Sequence, residues 1–217
     1  MKETVVGLEN SVLGIQQGKM ANKLDLCKRF DLDVSKPLFS FIGRFVYEKG
    51  ADLFPSILYK SLLKEKINIF ILGSGDKSLE SELKSLRIHF KSNYGCEMGF
   101  NEKLAHQIYA GSDFLLMPSR VEPCGLNQMY AMRYGTIPIV RRIGGLKDTV
   151  IDIEDQGYGI CHDQASVKDV CDSIDRGVAL YENRTKFEKI RKKCMLIDHS
   201  WDKSAEEYLT LYKSLTK

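Results

Sequence analysis

Short apolar runs alternate with amphipathic stretches along this chain, and no other feature limits its fold so strongly. Pro37-Leu38-Phe39-Ser40-Phe41-Ile42 ends at Gly43, and Ile67-Asn68-Ile69-Phe70-Ile71-Leu72 is closed by Gly73-Ser74-Gly75-Asp76. Runs this compact, apolar on both alternating faces, predict strands covered on both sides of a sheet. Further strands are expected at Gly95–Met98, Asp113–Met117, Thr136–Val140 and Tyr158–Cys161, with Pro138 favouring a sheet edge or a strand start. Between them the apolar spacing turns helical. Ala51–Lys66 carries Leu53, Ile57, Leu58 and Leu62, with Pro55 tolerable only in a first turn, and Ser78–Lys91 carries a stripe of Leu79, Leu83, Leu86 and Phe90. Asn101 to Ala110 follows with Asn101 as N-cap, then Leu126–Tyr134, Ala165–Tyr181, Thr185–Leu196 and Ser200–Leu215. Before Lys36 the pattern is weak. Gly7, Gly14 and Gly18 are expected to break it, leaving a short helix over Lys19–Phe30.

Strand–helix alternation of this kind implies a doubly wound parallel sheet, Rossmann-like in architecture, with ligands beyond the carboxyl ends of the strands. At 217 residues one sizeable core is affordable in length, and 43% apolar with 28% charged residues is ordinary globular composition. A net charge of +3, from 32 basic and 29 acidic side chains, argues for neither a nucleic-acid nor a membrane partner. No apolar run is long enough to span a bilayer, and Met1 to Gln17 lacks the layout of a signal peptide. The six cysteines (27, 96, 124, 161, 171, 194) show no C-x-x-C spacing and are read as reduced thiols of a cytoplasmic protein.

Three loops at the expected strand ends carry the chemistry. Gly43-Arg44-Phe45-Val46-Tyr47-Glu48-Lys49-Gly50 sets two cations between glycines beside a helix start, an arrangement suited to a diphosphate; a solvated basic loop accounts for it equally. Gly73-Ser74-Gly75 lets a ligand approach the backbone, but a plain strand-to-helix turn needs the same residues. Pro118 to Gln128 brings Glu122, Pro123 and Gly125 to a helix entry, where amides can bind phosphate oxygens and Glu122 can take sugar hydroxyls; simple helix entry uses the same features. Asp113, Asp148, Asp152 and Glu154 read as helix-start or surface charges, and His89, His106, His162 and His199 as isolated structural or surface residues. No Ser or Cys stands in a nucleophile motif.

Taken together and in order, these segments resemble the glycogen/starch synthases. The likeness rests on Phe41-Ile42-Gly43-Arg44 with Glu48-Lys49-Gly50, on Leu72–Asp76, and on Leu104-Ala105-His106 with Ala110–Asp113. It continues through Met117–Leu126, Tyr130–Gly135, Val140–Val150 and Ser200-Trp201-Asp202, so it spans about Lys36 to Leu215. The resemblance implies one half of a GT-B fold: a lead-in segment over 1–35, a nucleotide-sugar-binding domain over 36–199, and a C-terminal helix over 200–217 that in relatives crosses toward an N-terminal domain absent here. It implies a retaining transferase that moves glucose from ADP-glucose or UDP-glucose, with no separate cofactor, to the non-reducing end of an α-1,4-glucan held by that other domain.

Carried over by motif position, Arg44 and Lys49 would grip the donor phosphates, and Glu122 would hold glucose hydroxyls and face an oxocarbenium-like transition state. Cys124 lies inside the same motif; the amides of Gly125, Leu126 and Asn127 would bind sugar or phosphate oxygens; Phe100 would stack on the base, and Gly73 and Ser74 would meet the nucleoside. Tyr130 stands where many wider GT-B relatives place a second glutamate, which removes a usual ribose contact. The Gly144-Gly145-Leu146 segment follows Ile143 far down the chain and is given no role in acceptor binding. Two other readings remain: a non-catalytic binding module on this fold, which need not keep all three charged residues, and a UDP-sugar epimerase, to which the Glu122–Leu126 motif is foreign.

Overall fold

A computed structural model of the chain describes residues 12–215. Six strands form one sheet: β1 (Leu38–Phe45), β2 (Asn68–Gly75), β3 (Tyr94–Met98), β4 (Phe114–Met117), β5 (Ile137–Arg141) and β6 (Ile160–His162). All neighbouring strands run parallel in the order β3-β2-β1-β4-β5-β6. The order reverses between β1 and β4, and such a reversal leaves a crevice outside the strands' carboxyl ends. Register sharpens this. β1 and β2 stay paired from Leu38↔Asn68 to Phe45↔Gly75, whereas β1 and β4 pair only at Phe39↔Phe114 and Ser40↔Leu115. Past Ser40 the two strands part.

Alternate residues of each strand feed the two layers of core, because successive side chains point to opposite faces. Phe39, Phe41, Ile69, Ile71, Phe114 and Ile139 pack on one face with α2 (Phe54–Leu62), α3 (Lys77–Leu86), α7 (Val167–Glu182) and α8 (Arg184–Leu196). On the other, Leu38, Phe70 and Leu72 meet α1 (Val12–Phe30) and α4 (Glu102–Gly111), while Leu115 and Val140 meet α5 (Asn127–Arg133) and α6 (Gly144–Thr149). Caps fall where the residue chemistry places them: Asp76 and Asn101 accept from the Leu79 and Leu104 amides, and Pro55 sits in the first turn of α2.

Several expectations need correction. The helix expected over Lys19–Phe30 begins by Val12 and runs through Gly14 and Gly18; the break expected at Gly7 lies outside the described residues. Tertiary contacts override the two glycines, since Leu26, Cys27 and Phe30 are buried and Lys19 and Lys23 reach into the domain. α3 stops at Leu86 rather than Lys91, and the chain turns so that Phe90 packs edge-on to Tyr59, ring centres 5.4 Å apart. β5 is an interior strand, so Pro138 marks its start, not an edge.

Asp113 and Asp152, read as surface or helix-start charges, are buried structural anchors. Asp113 takes Lys23 Nζ at 2.7 Å, Arg191 Nη2 at 2.9 Å and the Leu38 amide at 2.9 Å. It thereby ties α1 and α8 to the base of β1 and β4. Burial alone raises its pKa, but Lys23 and Arg191 outweigh burial and hold the carboxyl below the usual range. Asp152 accepts from Arg176 at 2.6 Å and from the Cys161 amide at 2.6 Å, fixing α7 to β6.

α9 (Trp201–Leu215) contains no buried residue, and Trp201 is 87% exposed. Its apolar side chains Tyr208, Leu209, Leu211 and Tyr212 are all exposed. All six cysteines are free thiols.

Candidate functional site

The loops that follow β1 and β4 close on each other across the crevice. After β1 the chain makes a 3₁₀ turn at Tyr47–Lys49 and passes through Gly50 in the left-handed region, φ 68°. The Arg120 and Val121 amides donate to the Glu48 carbonyl at 2.7 and 3.1 Å. Arg120 adds a two-pronged pair with Asp52 at 2.6 and 2.9 Å and lies 3.7 Å over the Tyr47 ring. From behind, Arg141 donates to the Arg120 carbonyl at 3.0 Å.

This clasp puts Lys49 against Glu122. Lys49 Nζ lies 2.5 Å from Glu122 Oε2, and Ser119 Oγ donates to the same oxygen at 3.1 Å. Glu122 is only 6% exposed, so its charge is held by few partners and Lys49 is the strongest of them. Two residues 73 apart in sequence thus form one unit at the sheet's reversal point.

Arg44 sits near the end of β1, exposed, and has no ionic partner among the described residues. With Gly43, Gly73, Ser74, Phe100 and Asn127 it lines a cleft of about 240 Å³ over the carboxyl ends of β1 and β2. Phe100 is 91% exposed at the rim, an orientation that leaves its ring open to stacking. Gly73 has a reason independent of any ligand: a Cβ there would fall 1.9 Å from the Gly43 carbonyl oxygen, so β1 and β2 approach too closely for a side chain. Asn127 spends its side chain on the Ile42 carbonyl, at 2.7 Å, which docks α5 onto the end of β1. Cys124 and Leu126 are both at the surface of the loop. Tyr130, beyond the site, packs edge-on to Tyr109 at 6.0 Å.

Sequence reasoning passed over the supports. Gly144 (φ 45°) and Gly145 lie under the Glu122 loop, where Cβ atoms would stand 2.1 Å from the Glu122 oxygen and 2.0 Å from the Cys124 oxygen. The glycine pair directly after the β5 run was the available signal, although sequence does not say which loop it faces. Arg120 and Gln128 were likewise hidden: Arg120 pairs with the Asp52 carboxylate 68 residues away, and Gln128 with backbone carbonyls of its own loop.

The histidines are ancillary. His162 is buried, which lowers its pKa, and its Nδ1 meets the Gln164 carbonyl, while His106 meets the Tyr134 hydroxyl at 3.1 Å. Among the described residues no group of three or more His, Cys, Asp or Glu side chains is placed to hold a metal ion. No helix among them is long and apolar enough to cross a membrane.

The family model for glycosyl transferases group 1 matches residues 25–194, a stretch that contains every element lining the crevice. The chain belongs to that family. Among its group 1 relatives, the glycogen synthase of Flavobacterium johnsoniae is 57% identical over 214 residues, 98% of this chain and 45% of the relative. That of Thioalkalivibrio sulfidiphilus is 40% identical over 206 residues, covering 91% of this chain and 43% of its own. In structure, the catalytic domain of starch synthase IV from Arabidopsis thaliana, bound to ADP and acarbose, superposes with a TM-score of 0.86 at 32% identity, over 99% of this chain and 45% of that one. The chain therefore spans less than half the length of these relatives. Its six-stranded parallel sheet with flanking helices is a GT-B-type half, a glycosyl transferases group 1 domain similar over nearly its whole length to glycogen and starch synthases.

Proposed function

We propose that this chain is the donor-binding half of a glycogen/starch synthase, taking ADP-glucose or UDP-glucose into the crevice between β1 and β4. The observation that carries the proposal is the Lys49–Glu122 pair at the sheet's reversal point, where the segment that carries Lys49 also brings Arg44 to the edge of a cleft. The bond that breaks joins the sugar's anomeric carbon to a phosphate oxygen. Negative charge then grows on the departing diphosphate and positive charge on the sugar ring. Arg44 and Lys49 answer the first, and Glu122 the second, without a metal or other cofactor. Glu122 also offers acceptor oxygens to glucose hydroxyls, and Lys49 divides its donors between Glu122 and the phosphates.

The cleft lined by Gly73, Ser74 and Phe100 is the proposed seat of the nucleoside. Its apolar lining and the open Phe100 ring provide stacking, and neither distinguishes adenine from uracil by charge. The likeness to a starch synthase bound to ADP makes ADP the first nucleotide to test. The glucan acceptor belongs to the facing half, so this chain alone is expected to bind nucleotide and not to elongate a glucan. Calorimetric titration with ADP and with UDP tests the donor site: heat with at least one is expected at millimolar concentration. Folded protein that gives none with either overturns it.

A further inference from the structure

Every backbone carbonyl from Glu122 to Gly125 is held by a hydrogen bond. Four consecutive carbonyls face the same support. The Gly145 amide donates to the Glu122 and Pro123 oxygens at 3.1 and 3.2 Å. Gln128 Nε2 donates to the Cys124 and Gly125 oxygens at 3.2 and 3.1 Å. Thr149 completes the set, accepting from Gln128 at 3.0 Å while its hydroxyl donates to the Gly145 carbonyl at 2.5 Å. Gln128 is fully buried, and its Oε1 has no partner among the described residues. Turning the amide over would aim an oxygen at two carbonyls, so the three acceptors fix its orientation.

We infer that Gln128 is a positioning residue for the donor site, a deepening of the function proposed above that rests on it. With the carbonyls of Cys124 and Gly125 drawn toward Gln128, the peptide planes are set. The Gly125 and Leu126 amides donate to nothing among the described residues, which leaves both donors for a ligand's oxygens. Gly125 makes the turn possible at φ 74°, lying directly over the Gln128 amide. Gln128 itself touches no substrate. It acts through the two loop amides and through Glu122, whose carboxylate depends on the same loop for its place beside Lys49.

Gln128→Met keeps the length and volume of the side chain while removing both donors. Titration of the wild-type chain and this variant with ADP and with adenosine separates positioning from packing. The inference expects ADP binding to weaken about tenfold, the worth of one or two lost hydrogen bonds, with adenosine binding unchanged. Equal losses for the two ligands, or no loss for either, overturn it. Should Gln128→Met fail to fold by circular dichroism, Thr149→Val removes the hydroxyl that orients Gln128 and is expected to give a smaller loss, again for ADP alone; an unselective effect overturns the inference there too. A wild-type chain that binds adenosine as tightly as ADP would instead overturn the donor-site proposal, and this inference with it.

Discussion

Replacing Asp113 by alanine should unfold much of what the fold gains from its buried charges. Asp113 is 3% exposed, Lys23 is 2% and Arg191 is 5%, so none of the three is hydrated to any useful extent. The carboxylate accepts from both cations and from the Leu38 amide at 2.7–2.9 Å. Alanine removes one charge and leaves Lys23 without an ionic partner among the described residues, while Arg191 keeps Glu188 at 2.9 Å; an uncompensated buried ion costs about 3–5 kcal/mol. For a domain near this size that corresponds to a fall in Tm of roughly 6–20 °C. Acid should act through the same group. A carboxyl whose folded pKa is depressed contributes stability above its unfolded value near 4 and loses it as pH falls through the folded value. Lys23 is the mirror case: burial lowers its pKa, but Asp113 raises it overall, so its contribution holds below about pH 10 and is lost above the folded pKa. Thermal and urea unfolding of wild type and Asp113→Ala from pH 3 to 8 measures the loss at neutral pH and the acid effect. A loss under about 1 kcal/mol at neutral pH, or an acid transition as steep in the variant as in wild type, would refute the idea that this cluster anchors α1 and α8.

Three further outcomes follow from the same structure. Gly144→Ala places a Cβ 2.1 Å from the Glu122 carbonyl at a left-handed φ, so it should cost at least about 1–2 kcal/mol and weaken ADP binding; unchanged stability and affinity in calorimetry would count against the support role of α6. Trp201→Ala, at a side chain 87% exposed on a helix with no buried residue, should change stability by less than about 0.5 kcal/mol, and a Tm drop of several degrees would show that α9 packs on this domain. Brief alkylation near neutral pH should label exposed Cys124 and spare buried Cys27, Cys161 and Cys194, whose thiols burial pushes up to about 11, 11 and 12; mass mapping that finds any of those three labelled first contradicts their packing.

The sheet was legible because its strands, β1, β2 and β4 above all, are short runs apolar on both faces, a pattern with few other structural solutions. Arg44, Lys49 and Glu122 were legible as motif positions, yet their meeting was not: nothing local says that residue 49 lies 2.5 Å from residue 122. The same holds for Asp113 and Asp152. A carboxylate before a strand looks like a helix or loop charge until its cations arrive from 90 and 78 residues away, in the case of Asp113, or 24 residues away for Asp152. Gly14 and Gly18 misled in the opposite direction, since propensity is weaker than the packing of Leu26 and Phe30 and the anchoring of Lys23. The supports of the site escaped for a simpler reason. Gln128 and Gly145 bind backbone carbonyls, which carry no residue identity to read.

The proposed diphosphate-and-sugar site at the sheet's reversal point depends above all on Lys49 and Glu122. Comparing wild type with Lys49→Ala by calorimetry, using ADP and adenosine in parallel, tests it most directly. Loss of a charge-assisted contact to phosphate predicts ADP binding weaker by on the order of ten- to a hundredfold, with adenosine affinity unchanged. Equal weakening for ADP and adenosine, or none for ADP, would contradict it.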